Sequence, residues 1–186
     1  KTSVSKVIRN VGNVASVAVK ALKIATAVKK LLNVEKKHFT RTDATGSFTA
    51  GGTVLCLSAI GQGDDDDDRN GNQIKVMKID LIGSANMNSG LTQSYQRVIF
   101  FIDKQQDGSD PTTAELLTSA DHYSGYNKDN LRRFTILKDY HYVLDTAKSK
   151  NRVFRYRKKL NLKVRYDGTT ALEASRKENN IYMLTL

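Results

Sequence analysis

From about residue 46 onward, hydrophobic and polar residues alternate along the chain with a period of two. Runs of Val, Ile, Leu, Phe and Tyr are separated by short stretches rich in Gly, Asn, Asp and Ser. Successive side chains of a strand point to opposite faces, so this alternation predicts half-buried β-strands joined by turns. The predicted strands are Gly46–Ser58, Gln73–Gly83, Ser94–Asp103, Phe134–Asp145, Val153–Tyr166 and Asn180–Leu186, with a short seventh candidate at Ala114–Thr118.

The first 38 residues follow a different pattern. Apolar residues recur there at steps of three and four from Val14 to Leu32, whereas Lys20, Lys23 and Lys30 fall on the opposite side. That spacing is typical of an amphipathic helix with a cationic face. We therefore divide the chain into a basic, partly helical N-terminal arm at residues 1–38 and an all-β domain at residues 39–186. Six or seven strands with loops of uneven length favour a sandwich or a jelly roll.

Most of the net charge lies in this arm. The protein has 186 residues and a net charge of +11, from 30 Lys and Arg against 19 Asp and Glu. Eight lysines, Arg9 and Glu35 give residues 1–38 a net charge of +8. Such a concentration favours a polyanionic partner, either nucleic acid or an anionic membrane surface. The candidate nucleic-acid-binding residues of the arm are Lys6, Arg9, Lys20, Lys23, Lys29, Lys30, Lys36 and Lys37.

A second cationic surface is predicted on the strand Val153–Tyr166. Alternate residues of this strand share one face, and most of those on one face are cationic, whereas Leu160, Leu162 and Val164 share the other. A solvated strand face usually mixes signs, because adjacent cations repel one another unless an anion lies nearby. The pattern therefore indicates a surface that faces a polyanion. Its candidate residues are Arg155, Arg157, Lys159, Lys163 and Arg165.

Five consecutive acids, Asp64 to Asp68, follow Gly63 in a predicted loop. Several adjacent carboxylates can bind Ca²⁺, which takes six to eight oxygen ligands. The spacing is not that of an EF-hand, however. A solvated loop, or one that pairs with basic groups of a neighbouring chain, explains the run equally well.

Catalytic chemistry has little support in the sequence. The histidines His38, His122 and His141 lack metal-ligand spacing on a common element, and no nucleophile elbow, phosphate-binding loop or dinucleotide fingerprint is present. Asp139 and His141 are two apart on a predicted strand and can share a face, an arrangement that is usually structural. The lone Cys56 excludes an intrachain disulfide and is best explained as a small buried hydrophobe. We therefore expect a protein that is not an enzyme and requires no cofactor.

Seven short segments spread over the β-region are recognisable as a set. They are Gln62–Asp65, Arg69–Ile74, Asp110–Leu117, Gly125–Asn127, Arg132–Asp139, Tyr166–Ala171 and Ile181–Leu184. Their ordered succession, from about Val34 to Leu186, resembles that of the coat protein of satellite tobacco necrosis virus and of the related coat proteins of small circular single-stranded DNA viruses.

The resemblance implies a viral jelly roll of two packed four-stranded antiparallel sheets. It implies self-assembly into a T=1-type icosahedral shell of sixty subunits, with the basic arm and the Arg155–Arg165 face directed at a single-stranded genome, DNA or RNA. Structural Ca²⁺ at subunit contacts is implied at Asp64, Asp65 and Glu35. The family continues past Ile181–Leu186 into a final strand that this chain lacks, and a jelly roll without it would expose an unpaired sheet edge. We therefore expect either that the protein continues beyond Leu186 or that another segment covers that edge.

We therefore expect a capsid protein that is located in the virion, and in the host cell during assembly. Its expected partners are further copies of itself and the single-stranded viral nucleic acid, and the arm also fits contact with a membrane. The alternative is a β-sandwich binding module, lectin-like or membrane-surface, that carries a basic amphipathic helix. A low aromatic content of 8% and the lack of tryptophan weigh against a carbohydrate platform.

Overall fold

A computed structural model describes residues 16–24, 36–42, 48–88, 90–106 and 108–186. The chain divides into two units, Lys1–His38 and Phe39–Leu186. In the first unit, residues 16–24 form a helix, α1, within the segment where the sequence predicts one. The rest of the predicted helix lies outside the described residues. The apolar side chains of α1 are exposed, with Leu22 at 70% and Val17 at 64% exposure.

The second unit consists of two antiparallel sheets. The first sheet has the order β1-β7-β3-β4, and the second has the order β2-β5-β6. Each predicted long strand corresponds to an observed one, but the second sheet has three strands in the described part of the chain, where four were predicted. The strands are β1 Thr53–Cys56, β2 Gln73–Asn86, β3 Gln93–Asp103, β4 Phe134–Asp145, β5 Asn151–Tyr166, β6 Arg176–Glu178 and β7 Asn180–Thr185. The helices besides α1 are α2, Thr113–Leu116, and 3-10 turns at Lys128–Asn130 and Glu173–Ser175.

The seventh strand candidate, Ala114–Thr118, was wrong, because this segment forms the helix α2. Thr112 caps the helix: its hydroxyl accepts from the Glu115 amide at 3.3 Å, and the Glu115 carboxylate accepts from the Thr112 amide at 2.7 Å. This reciprocal capping box satisfies two amides that a helix start would otherwise leave unpaired. Local capping chemistry therefore outweighs the short apolar run that suggested a strand.

The segment Ile181–Leu186 has no open edge, in agreement with the alternative that another segment covers it. Strand β7 lies between β1 and β3 and pairs with both, with Leu184 opposite Val54 on one side and Ile99 on the other. The amide and carbonyl of Leu186 also exchange hydrogen bonds with Arg97, at 2.9 and 2.8 Å. The segment is therefore a central strand, and pairing on both edges explains why residues 180–186 are all buried.

The first sheet is covered on both faces. On one face, Val98, Phe100 and Met183 pack against Phe154 and Tyr156 of the second sheet. On the other face, a second cluster joins the sheet to the long β3–β4 connection; it comprises Cys56, Ile99, Phe101, Leu116, Leu117, Phe134, Tyr182, Leu184 and Leu186. A strand buried on both faces has a continuous apolar sequence, which accounts for the run from Val98 to Ile102. The prediction that Cys56 is a buried hydrophobe is confirmed, and burial raises the pKa of its thiol.

The β3–β4 connection is fixed to the sheet by buried charge. Arg133 donates to both carboxylate oxygens of Asp103, at 3.0 and 2.8 Å, and to Glu115 of α2 at 2.7 Å. Asp103 is completely buried. An ionised carboxylate is tolerated there because the guanidinium satisfies both of its oxygens. The ion pair thereby holds one end of the connection against the end of β3.

Strands β2 and β5 form a long ribbon with an irregularity near its middle. The register shifts between Val76 and Lys78, so that Leu160 and Asn161 together lie opposite Met77. Asn161 has φ of 56°, a left-handed conformation that asparagine tolerates better than most residues. This β-bulge separates the ribbon into two regular ladders. The exposed faces of these ladders carry the predicted cationic strand residues.

Candidate nucleic-acid interface

The five cationic residues predicted on β5, from Arg155 to Arg165, are exposed on the side of the second sheet that faces away from the first. The neighbouring strand β2 adds two more cations to this side. Lys75 lies directly opposite Lys163, and Lys78 lies directly opposite Lys159. We call the set Lys75, Lys78, Arg155, Arg157, Lys159, Lys163 and Arg165 the cationic face.

Two of these arginines share one carboxylate. Asp80 of β2 accepts two hydrogen bonds from Arg155, both at 3.0 Å, and two from Arg157, at 2.8 and 2.6 Å. Hydrogen bonds from Arg155, and then those from Arg157, hold the pKa of Asp80 well below its usual value. The carboxylate therefore stays ionised and orients both guanidinium groups along the surface.

A second acid lies at the far end of the cationic face. Arg165 pairs with Glu178 of β6 at 3.3 Å. Seven cations against the two carboxylates Asp80 and Glu178 leave five net positive charges on the sheet surface. Lys78 lies 3.9 Å from Asp80, which is beyond hydrogen-bonding distance. The repulsion inferred from β5 alone is therefore relieved only in part by these acids.

Lys75, Lys78, Asp80 and Glu178 were missed from the sequence. The alternation in β2 shows that Lys75 is exposed, but which strand lies beside β2 is a long-range property of the fold. The register between β2 and β5 brings these residues together, and no local signal in either segment encodes that register.

The residues predicted in the arm are described only in part. Lys20 and Lys23 are exposed on α1, Lys36 is exposed, and Lys37 is half-buried. Lys6, Arg9, Lys29 and Lys30 lie outside the described residues. Within the described ranges, no helix combines the length and the apolar character that crossing a membrane requires.

The acidic loop does not by itself form a metal centre. Asp64 and Asp65 are exposed at the surface, and Glu35 lies outside the described residues. In the described part of the chain, no three His, Cys, Asp or Glu side chains are grouped so as to hold a metal ion. Because Ca²⁺ takes six to eight oxygen ligands, the described acids of this loop do not by themselves supply a complete site. Calcium between subunits stays a prediction from the resemblance.

Asp139 and His141 do share a face, as the sequence suggested, with their side chains 3.4 Å apart. Asp139 also accepts from Arg97 at 3.1 and 2.7 Å and from the Tyr126 hydroxyl at 2.5 Å. Arg97 in turn donates to the carbonyl of Ser124 at 2.6 Å. Burial acts to raise the pKa of Asp139, but hydrogen bonds from Arg97 and then Tyr126 outweigh it and lower the pKa. The network joins β3, β4 and their connection, which is a structural role.

Two packed antiparallel sheets, with one face that carries a surplus of cations, define the class of protein: an all-β viral jelly roll. The family model of the satellite tobacco necrosis virus coat protein matches residues 14–186. The chain is 35% identical over 169 residues to the capsid protein of Satellite tobacco necrosis virus 1, which covers 86% of this chain and 83% of that protein. It is 33% identical over 172 residues to the coat protein of Satellite tobacco necrosis virus 2, covering 88% and 84% of the two chains.

The chain therefore belongs to the satellite tobacco necrosis virus coat protein family. It is a viral structural protein and a component of the virus particle, and not an enzyme. This assignment replaces the alternative of a lectin-like or membrane-surface binding module.

Proposed function

We propose that the chain assembles into a closed T=1-type shell of sixty copies that encloses a single-stranded genome, and that the basic arm and the cationic face contact that genome. Membership of a coat protein family supports the assembly. The localised charge supports the contact with nucleic acid, because the arm and the cationic face are separate concentrations of positive charge.

One observation carries the nucleic-acid contact: lysines lie directly opposite lysines on an exposed part of the sheet. Lys75 faces Lys163 and Lys78 faces Lys159. Like charges in directly opposed positions destabilise a sheet. A polyanion lying along the ribbon removes that repulsion, because each phosphate can lie between two ammonium groups.

Binding by this surface is electrostatic and largely independent of sequence. Lysine and arginine neutralise phosphates and release condensed counterions, so the affinity falls as the salt concentration rises. The paired arginines at Asp80 add donors in a fixed orientation. Interactions of this kind position a nucleic acid strand without identifying its bases.

The double variant Lys75→Gln, Lys163→Gln tests the role of the cationic face. Binding of a labelled single-stranded oligonucleotide is measured by fluorescence anisotropy at several salt concentrations. The slope of log affinity against log salt should become shallower by about 1.4, which is about 0.7 for each phosphate that is no longer neutralised. The matched control is Lys128→Gln, an exposed lysine of the β3–β4 connection. An unchanged slope in the double variant would refute the assignment of this surface.

Assembly is tested by measuring particle size. Light scattering and electron microscopy of the purified chain should show closed particles of one diameter. Particles of one to four chains under all conditions of pH and Ca²⁺ would contradict the shell. Digestion of the extracted nucleic acid with RNase or DNase then identifies the genome.

A further inference from the structure

A small cavity lies at the end of the ribbon where β2 begins and β5 ends. Its volume is about 290 Å³. Ligand pockets range upward from about 300 Å³, so this cavity accommodates one small group and not several nucleotides. Its walls are formed by Asn72, Gln73, Arg165, Tyr166, Asp167 and Lys177.

The cavity is continuous with the cationic face. Gln73 lies directly opposite Arg165, and the next outward-facing pair along the ribbon is Lys75 with Lys163. A single strand that follows the lysine pairs along the sheet therefore reaches the mouth of the cavity. Arg165 belongs to both surfaces.

The walls of the cavity are held in place by buried contacts. The Tyr166 hydroxyl donates to the carbonyl of Ser58 at 2.7 Å, and the Tyr166 amide donates to the carbonyl of Asn72 at 2.9 Å. The guanidinium of Arg69, which is 2% exposed, lies 4.3 Å from the centre of the Tyr166 ring. Arg69 also donates to the carbonyls of Gly71 and Gly168, which neighbour the cavity-lining residues Asn72 and Asp167 in the chain. The part of the site formed by Tyr166 is therefore fixed, whereas the side chains of Asn72, Gln73 and Asp167 are exposed at its rim.

The lining combines hydrogen-bond donors with acceptors. Arg165 and Lys177 are cationic, Asn72 and Gln73 carry amides that both donate and accept, and Asp167 accepts only. A hydrogen bond from Lys177 at 2.7 Å lowers the pKa of Asp167, so this carboxylate stays negative near neutral pH. The carboxylate of Asp167 is an acceptor that a phosphate, which carries no donor when fully ionised, cannot use. The edge of a nucleobase presents both donors and acceptors, as this lining does.

We propose that the cavity receives one nucleobase of the strand bound along the cationic face. Gln73, Asn72 and Asp167 meet the base edge, and Arg165 and Lys177 contact the flanking phosphates. Single-stranded nucleic acid is suited to this role, because its unstacked bases can turn outward into a protein pocket. This inference rests on the proposed function for the approach of the strand, and adds to it a site that discriminates between bases.

The test compares octadeoxynucleotides of adenine, cytosine and thymine with an abasic octamer, using the full-length chain at fixed salt. The native protein should bind at least one of the three base-containing octamers about fivefold more tightly than it binds the other octamers and the abasic octamer. Gln73→Ala and Asp167→Asn should each reduce this ratio of affinities. The affinity of Gln73→Ala for the abasic octamer should change little. The control Lys75→Gln should weaken binding to all four strands by a similar factor and leave the ratio unchanged.

The outcomes separate the two proposals. If the native protein binds the abasic octamer as tightly as the others, or if both cavity variants keep the native ratio, the base site is overturned while the cationic face stands. If the native protein binds none of the strands, the proposed contact of the cationic face with nucleic acid is overturned as well. Far-UV circular dichroism of each variant shows whether it is folded.

Discussion

Asp80 of β2 lies directly opposite Arg157 of β5, and its carboxylate joins that arginine to Arg155 two residues away. One acid thus orients two guanidinium groups on a surface that otherwise carries mostly lysine. The pair is exposed, and exposed ion pairs add little to stability. The ion pair therefore matters for the net charge of the cationic face and for the orientation of its two arginines.

The variant Asp80→Asn tests this interpretation. Removing the carboxylate raises the net charge of the cationic face by one and releases both arginines for phosphates. We expect tighter binding of single-stranded nucleic acid at low salt and a slope of log affinity against log salt that steepens by about 0.7 or more. The melting temperature should change little. Asp129→Asn, at an exposed position of the β3–β4 connection, is the control. Weaker binding by Asp80→Asn would contradict the expectation that the charge of the carboxylate outweighs its orientation of the two arginines.

Asp139 should make the stability of the domain depend on pH. Its pKa is lowered below the ordinary value of 3.8 in the folded state, so its contribution is complete well above pH 3.8 and is lost as the pH falls through the lower folded value. Asp139→Asn leaves the buried Arg97 without its counter-charge, which should cost about 3 kcal/mol near neutral pH. Urea unfolding followed by circular dichroism measures this cost. The difference from the native chain should narrow as the pH falls below 3.8, whereas a constant difference would show that Asp139 acts through packing alone.

Gly83 should be intolerant of a side chain. It lies opposite Phe154 in the β2–β5 ladder, and a Cβ placed there would overlap the Phe154 ring. Phe154 is part of the core between the sheets, so the ring cannot move without disturbing its neighbours. Gly83→Ala should therefore destabilise the domain by about 1–3 kcal/mol in the same unfolding measurement.

The control for this substitution is Gly125→Ala, because a Cβ at Gly125 meets no atom within 4 Å. Equal stability of the two variants would mean that the ribbon adjusts to the added methyl group.

Much of the fold follows from local pattern. The six long strands were predicted because alternation with a period of two is a property of neighbouring residues, and the helix at residues 16–24 lies in the segment of three- and four-residue spacing. The strand predicted at Ala114–Thr118 was wrong because a short run of apolar and small residues does not distinguish a strand from a short helix. The capping box of Thr112 and Glu115 is the local sequence signal that indicates a helix here.

The position of Ile181–Leu186 could not be predicted in the same way. Its apolar character predicts burial, but whether a strand is central or at an edge depends on which strands come to lie beside it. Pairing with β1, the first strand of the domain, decides this. The continuous burial of β7 is a consequence of that pairing.

By itself, the sequence determined the strand periodicity, the localisation of charge in the arm and the exposed cations of β5, because these depend on residues close together in the chain. The tertiary structure alone decided that Lys75 faces Lys163, that Asp80 bridges Arg155 and Arg157, and that Asn72, Asp167 and Lys177 line one open pocket. Strand pairing brings together residues that are distant in sequence, and its register is set by the packing of the whole core.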